Sequence, residues 1–122
     1  MKSLLALLAP AALLLAACGG EPAPANTKSN QVSPERLYET QQCLLCHGPG
    51  GRGTPGSGPD LRNIDEHWDV DSLVKYLAKP KEYGDSDPRL LANRGKYRMQ
   101  MPNTKLKEER LRVLAEYILS LE

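Results

Sequence analysis

Two thiols and an imidazole fall within five residues, Cys43-Leu44-Leu45-Cys46-His47, and no other stretch of the chain restricts its fold as tightly. Cysteines three apart share one face of a helical turn, and the next residue points beside them. Four chemistries use such a set. A redox dithiol needs the cysteines alone, but it normally sits near a βαβ pattern, and no strand-like alternation is present. A structural zinc site would draw on Cys43, Cys46, His47 and His67, with adjacent Cys46 and His47 both converging on one tetrahedral ion. A simple disulfide is the third. The fourth is the one that the spacing and the following histidine indicate: a covalently attached c-type haem, with a thioether from each thiol and the imidazole as axial ligand of the iron.

A covalent cofactor also answers a shortage of core. The 122 residues include ten Gly, ten Pro and no Phe, and a domain this small usually needs a staple. Charge excludes another class of function. The chain has 16 basic and 15 acidic residues, and loss of Lys2 with the leader described next balances them, so a nucleic-acid binder is not expected.

Met1-Lys2-Ser3 followed by the twelve-residue apolar run Leu4 to Leu15 reads as a signal peptide over residues 1–17, because the run is too short to span a bilayer. Leu15-Ala16-Ala17-Cys18-Gly19 resembles a bacterial lipobox, which implies cleavage before Cys18 and lipidation of its thiol, anchoring the chain to the outward face of a bacterial membrane, inner or outer. Residues 18–33 then form a lipidated N-terminus and a disordered tether: Glu21 to Pro34 holds three prolines and little that is apolar. At roughly 3.3 Å per residue it reaches about 45 Å.

The folded part is expected over 34–122. Ser33 can cap a helix with Pro34 at its first position and Glu35 in its first turn, running into the Cys43–His47 motif. Gly48 to Pro59 has six Gly and three Pro in twelve residues, which rules out regular structure. Val70, Leu73, Val74 and Leu77 have helical spacing, with Asp69 or Asp71 as cap and Pro80 as stop. Leu111, Leu114, Ala115 and Ile118 repeat that spacing in a last helix beginning near 104–107, with Thr104 as a candidate cap.

Taken in order, the haem motif, the Gly-rich turn, Gly58-Pro59-Asp60-Leu61, Met99-Gln100-Met101-Pro102 and the terminal amphipathic helix resemble the class I cytochromes c, over about Pro34 to Glu122. The resemblance implies an all-α fold, three to five short helices around one covalently attached haem c. It implies that the Pro59 carbonyl accepts a hydrogen bond from His47 and that Met101 is the second iron ligand, with Met99 packing on the haem and standing as backup. It also places Tyr117 near Tyr38 and the first helix. Where the family commonly has Gly four residues before that aromatic, this chain has Pro34. Trp68, Arg62, Tyr83 and Tyr97 are candidate donors to the haem propionates, and His67 is expected to be a loop residue.

The implied function is single-electron transfer between respiratory or periplasmic redox partners, by an electron carrier rather than an enzyme and without a small-molecule substrate. A fixed haem subunit of a larger oxidoreductase is the variant. A peroxidase or gas-binding protein would need the iron position that a methionine closes. Arg89, Arg94, Lys96, Arg98, Lys105 and Lys107 lie in a segment with no acid; this is either solvated surface or a docking face for an acidic partner.

Overall fold

The structure is a computed structural model and describes residues 32–122; the signal peptide, Cys18 and the tether up to Gln31 lie outside the described residues. Six α-helices make up the described chain, with no strand among them: α1 Pro34–Thr40, α2 Cys43–His47, α3 Val70–Ala78, α4 Pro80–Ser86, α5 Pro88–Ala92 and α6 Glu108–Leu119. The all-α expectation holds. The helices exceed the upper expected count by one because two short ones, α4 and α5, carry no apolar stripe to betray them.

Helix α1 begins as its residues dictate. The Ser33 hydroxyl accepts a hydrogen bond from the Arg36 N–H at 3.2 Å, and Pro34 occupies the first turn, where its missing N–H costs nothing. It does not run on into α2, contrary to expectation. Gln42 between them adopts a left-handed conformation (φ 61°, ψ 22°), a strain of about 1–2 kcal/mol for a residue with a Cβ, and buried Tyr38 and Cys43 lie on either side of it.

In α3, Asp69 is the cap. Its carboxylate accepts from the Ser72 N–H at 2.8 Å while the Ser72 hydroxyl accepts from the Asp69 N–H at 3.1 Å, satisfying two donors reciprocally. Pro80 stops α3 and also starts α4, and Pro88 starts α5 the same way, with the Asp87 carboxylate accepting from the Arg89 N–H. Helix α6 begins at Glu108 with Lys107 before it, and no side chain caps it; Glu108 and Glu109 face the positive end of the helix dipole instead. Thr104 is therefore not the cap. Its hydroxyl donates to the Leu77 carbonyl of α3.

The core forms where α3 and α1 pack on α6. Leu37, Tyr38, Leu73, Val74, Leu77, Leu111, Leu114, Ala115 and Ile118 are buried in one cluster. Tyr38 and Tyr117 meet edge to face, with ring centroids 5.8 Å apart, so α1 and α6 are in contact at this pair with Pro34 in the first turn of α1. Among the described residues no helix is long and apolar enough to cross a membrane.

Candidate haem site

Helix α2 is a single turn that carries the whole motif. Cys43 is buried, Cys46 partly exposed, and both are free thiols. Burial pushes the Cys43 thiol up to about 11, with Cys46 raising it further and a backbone hydrogen bond opposing. Such a thiol is protonated at neutral pH.

His47 is 8% exposed, and burial lowers its pKa, with only partial opposition from its hydrogen bond to Pro59. Its Nδ1 lies 2.9 Å from the Pro59 carbonyl oxygen. A carbonyl only accepts, so Nδ1 carries the proton and Nε2 keeps its lone pair. Nε2 has no hydrogen-bond partner among the described residues. A neutral imidazole of fixed tautomer, one free nitrogen and two free thiols a turn away form a donor set that fits a covalently attached haem.

The Gly-rich loop brings Pro59 to His47. The Gly53 N–H donates to the His47 carbonyl at 2.7 Å, and Thr54 and Gly58 exchange backbone hydrogen bonds of 3.0 and 3.1 Å across a tight turn. Gly58 then passes against α2 so closely that a Cβ there would lie 2.6 Å from the Cys46 carbonyl oxygen. Only a residue without a side chain lets the next carbonyl reach the imidazole. On the other side, the buried Tyr38 hydroxyl donates to the Gly48 carbonyl at 3.1 Å, tying α1 to the start of the loop. The motifs name Gly58 and Tyr38 but give neither the close approach of the one nor the hydroxyl contact of the other. Their signal, a glycine directly before the key proline and an aromatic five residues before Cys43, lies in the sequence but acquires meaning only through the contact.

Met101 lies in the irregular segment between α5 and α6, partly buried against the core. It also borders an open cavity of about 470 Å³ between this segment and α4, lined with Lys79, Pro80, Lys81, Glu82, Asp85 and Asn103. Neither Cys43, Cys46 nor His47 lines that cavity. Met99 is 70% exposed. His67 is an exposed residue following a 3₁₀ turn at Ile64–Glu66.

Of the candidate propionate donors, Arg62 is engaged by Asp60, whose carboxylate it holds down to about 2 through a side-chain hydrogen bond and its backbone N–H. Trp68 and Tyr83 belong to a cluster with Tyr76, their ring centroids 5.2–5.9 Å apart, and the Arg89 guanidinium lies 5.0 Å from the Trp68 ring centroid. Tyr97 is partly exposed. The basic run is thinner in space than in sequence. Arg89 pairs with Asp87 and Arg94 with Asp85, whereas Lys96, Arg98, Lys105 and Lys107 form no ion pair among the described residues.

The sequence profile of the cytochrome c family matches residues 34–122. Cytochrome c-550 of Bacillus subtilis (strain 168) is 35% identical over 63 residues, which cover 52% of this chain and 50% of that protein. The chain thus aligns with about half the length of this curated relative. No solved structure matches the chain.

Proposed function

We propose that this chain, which belongs to the class I cytochromes c, is a monohaem electron carrier tethered by lipid to the outward face of a bacterial membrane. Cytochromes c bind haem c covalently, and its iron supplies the one-electron couple. Cys43 and Cys46 are the thioether residues, His47 the proximal ligand and Met101 the second. The observation that carries this reading is the hydrogen bond from His47 Nδ1 to the Pro59 carbonyl, which presents a neutral imidazole with Nε2 free beside two free thiols.

Each residue has a separable role. Pro59 fixes the orientation and raises the basicity of His47. A thioether from Met101 favours the reduced iron and closes the sixth position, which suits electron transfer and excludes substrate. Cys18 carries the lipid, and residues 18–33 give the domain its reach toward partners. Lys96, Arg98, Lys105 and Lys107, free of ion pairs among the described residues and close in sequence to Met101, attract an acidic redox partner; Arg89 and Arg94 contribute less because Asp87 and Asp85 offset them.

The test is a reduced alkaline-pyridine spectrum of the mature protein made in a host that attaches haem, with a ferric spectrum of the native protein. One c-type haem per chain and the ferric band of methionine ligation are expected, and Met101→Ala should keep the haem, lose the band and lower the potential. Absence of haem would overturn the reading. Cys18→Ala should move the protein from the membrane fraction to the soluble one. Reversal of charge at Lys96 and Lys105 should slow electron transfer to an acidic partner at low salt, with the difference shrinking as salt is added.

A further inference from the structure

The segment that carries Met101 is held to the rest of the molecule at very few points. From Tyr97 to Leu106, two hydrogen bonds reach other parts of the described chain. The Arg98 N–H donates to the Gly56 carbonyl at 3.0 Å, and the Thr104 hydroxyl donates to the Leu77 carbonyl at 3.2 Å. The two anchors differ in what they hold on to. Gly56 is an exposed residue at the tip of the Gly-rich turn, whereas Leu77 is 1% exposed, at the centre of the core.

Leu77 lies in the last turn of α3, where carbonyls have lost their intrahelical donors. The Thr104 hydroxyl supplies one, joining the end of α3 to a point three residues after Met101. The intervening chain is two residues long, and one of them, Pro102, has a fixed φ; just beyond Thr104, the Lys105 N–H donates to the Asn103 side chain at 2.8 Å. A displacement at Thr104 therefore reaches Met101 with little slack to absorb it.

We propose that Thr104 is a positioning residue for the sixth ligand, its hydroxyl pinning the Met101 segment to the Leu77 carbonyl so that the thioether stays presented to the iron. The proposal rests on Met101 being that ligand. Thr104 itself touches neither iron nor haem in this role; it sets how often Met101 lets go.

Imidazole added to the ferric holoprotein reads this directly, because it binds only when Met101 is detached, and its apparent affinity scales with the detached fraction. Thr104→Val keeps the shape and removes the donor. Loss of one neutral hydrogen bond is expected to raise the apparent imidazole affinity about 3- to 10-fold, and Thr104→Ser should restore the wild-type value. Thr104→Ala serves the same purpose if the valine variant does not accumulate.

Unchanged imidazole affinity in Thr104→Val or Thr104→Ala overturns the proposal. Equal increases in the valine and serine variants also overturn it, since the methyl and not the hydroxyl would then matter. A fall in the midpoint of global unfolding with no change in imidazole affinity assigns Thr104 to general stability and overturns it too. Met101→Ala measured alongside separates the underlying reading: if that variant keeps the ferric methionine band, the ligand is another residue and the reading beneath the proposal fails.

Discussion

Gly58→Ala tests whether the site is assembled by a close backbone approach. The added methyl would lie 2.6 Å from the Cys46 carbonyl oxygen, 2.8 Å from its carbon and 3.0 Å from the Cys46 Cβ. All three atoms belong to α2 near the attachment point, so none can swing aside as the end of a flexible side chain would. Overpacking of this kind costs about 1–3 kcal/mol, and three immobile neighbours place the loss near the upper end. The easiest relief moves residues 58–59 away from α2, stretching the bond between His47 Nδ1 and Pro59 O from its 2.9 Å and forfeiting a further ~1 kcal/mol. The expected loss is thus about 3–4 kcal/mol out of the roughly 5–15 kcal/mol typical of a domain. At about 4–8 °C per kcal/mol for a chain of this size, the thermal midpoint of the holoprotein falls by roughly 12 °C or more. A less basic imidazole also donates less to ferric iron, so the potential rises. Gly56→Ala is the control: a Cβ there meets nothing within 4 Å, but φ is +72°, so only the left-handed strain of about 1–2 kcal/mol applies. A Gly58→Ala midpoint within about 4 °C of wild type, or no lower than that of Gly56→Ala, would refute the argument.

Tyr38→Phe should lower stability by about 1 kcal/mol or less in denaturant unfolding, because the Gly48 carbonyl that loses the hydroxyl still accepts the Gly51 N–H at 3.2 Å and the ring keeps its place against Tyr117. Burial raises the pKa of Tyr38, Tyr76 and Tyr117. The neutral forms are therefore favoured in the fold, their contribution is whole below the ordinary tyrosine value of about 10 and is lost as pH rises beyond it, and unfolding midpoints measured upward from pH ~9 should fall less steeply in Tyr38→Phe than in wild type. The opposite sign holds for Asp60, which Arg62 lowers to about 2. Its contribution is present above the ordinary carboxylate value of about 4 and disappears as pH drops toward 2, so Asp60→Asn should flatten the acid limb of the unfolding midpoint between those values. The effect is small, since the pair is exposed to solvent and salt.

The parts legible in the sequence are those decided within a few neighbouring residues. Ser33-Pro34, Asp69 and the apolar spacing of Leu73, Val74 and Leu77 specify caps and a buried face over one or two turns, and α1 and α3 follow them. The attachment motif is equally local, since one turn of α2 holds both thiols and the imidazole. What escaped the sequence is decided across the fold. Pro80 reads as a helix stop, yet it is also a helix start, as Pro88 is for α5, because the ring that blocks an incoming helix has the φ that an outgoing one requires. Gln42 carries no mark of a left-handed break, yet it takes one between buried Tyr38 and buried Cys43. Thr104 reads as a cap for the last helix, but α6 starts only at Glu108, and the Thr104 hydroxyl donates instead to the Leu77 carbonyl, 27 residues earlier. The six cations from Arg89 to Lys107 form an unbroken run in sequence and a divided one in space, because Asp85 and Asp87 arrive from α4 and its end to take two of them. On the proposed reading the same division runs through the site: His47 and Pro59 are twelve positions apart, whereas Met101 lies 54 positions beyond His47, in a segment hydrogen-bonded to Gly56 and Leu77. Substitutions in the proximal half should therefore act on attachment and stability, and those in the distal half on how firmly the sixth position is closed.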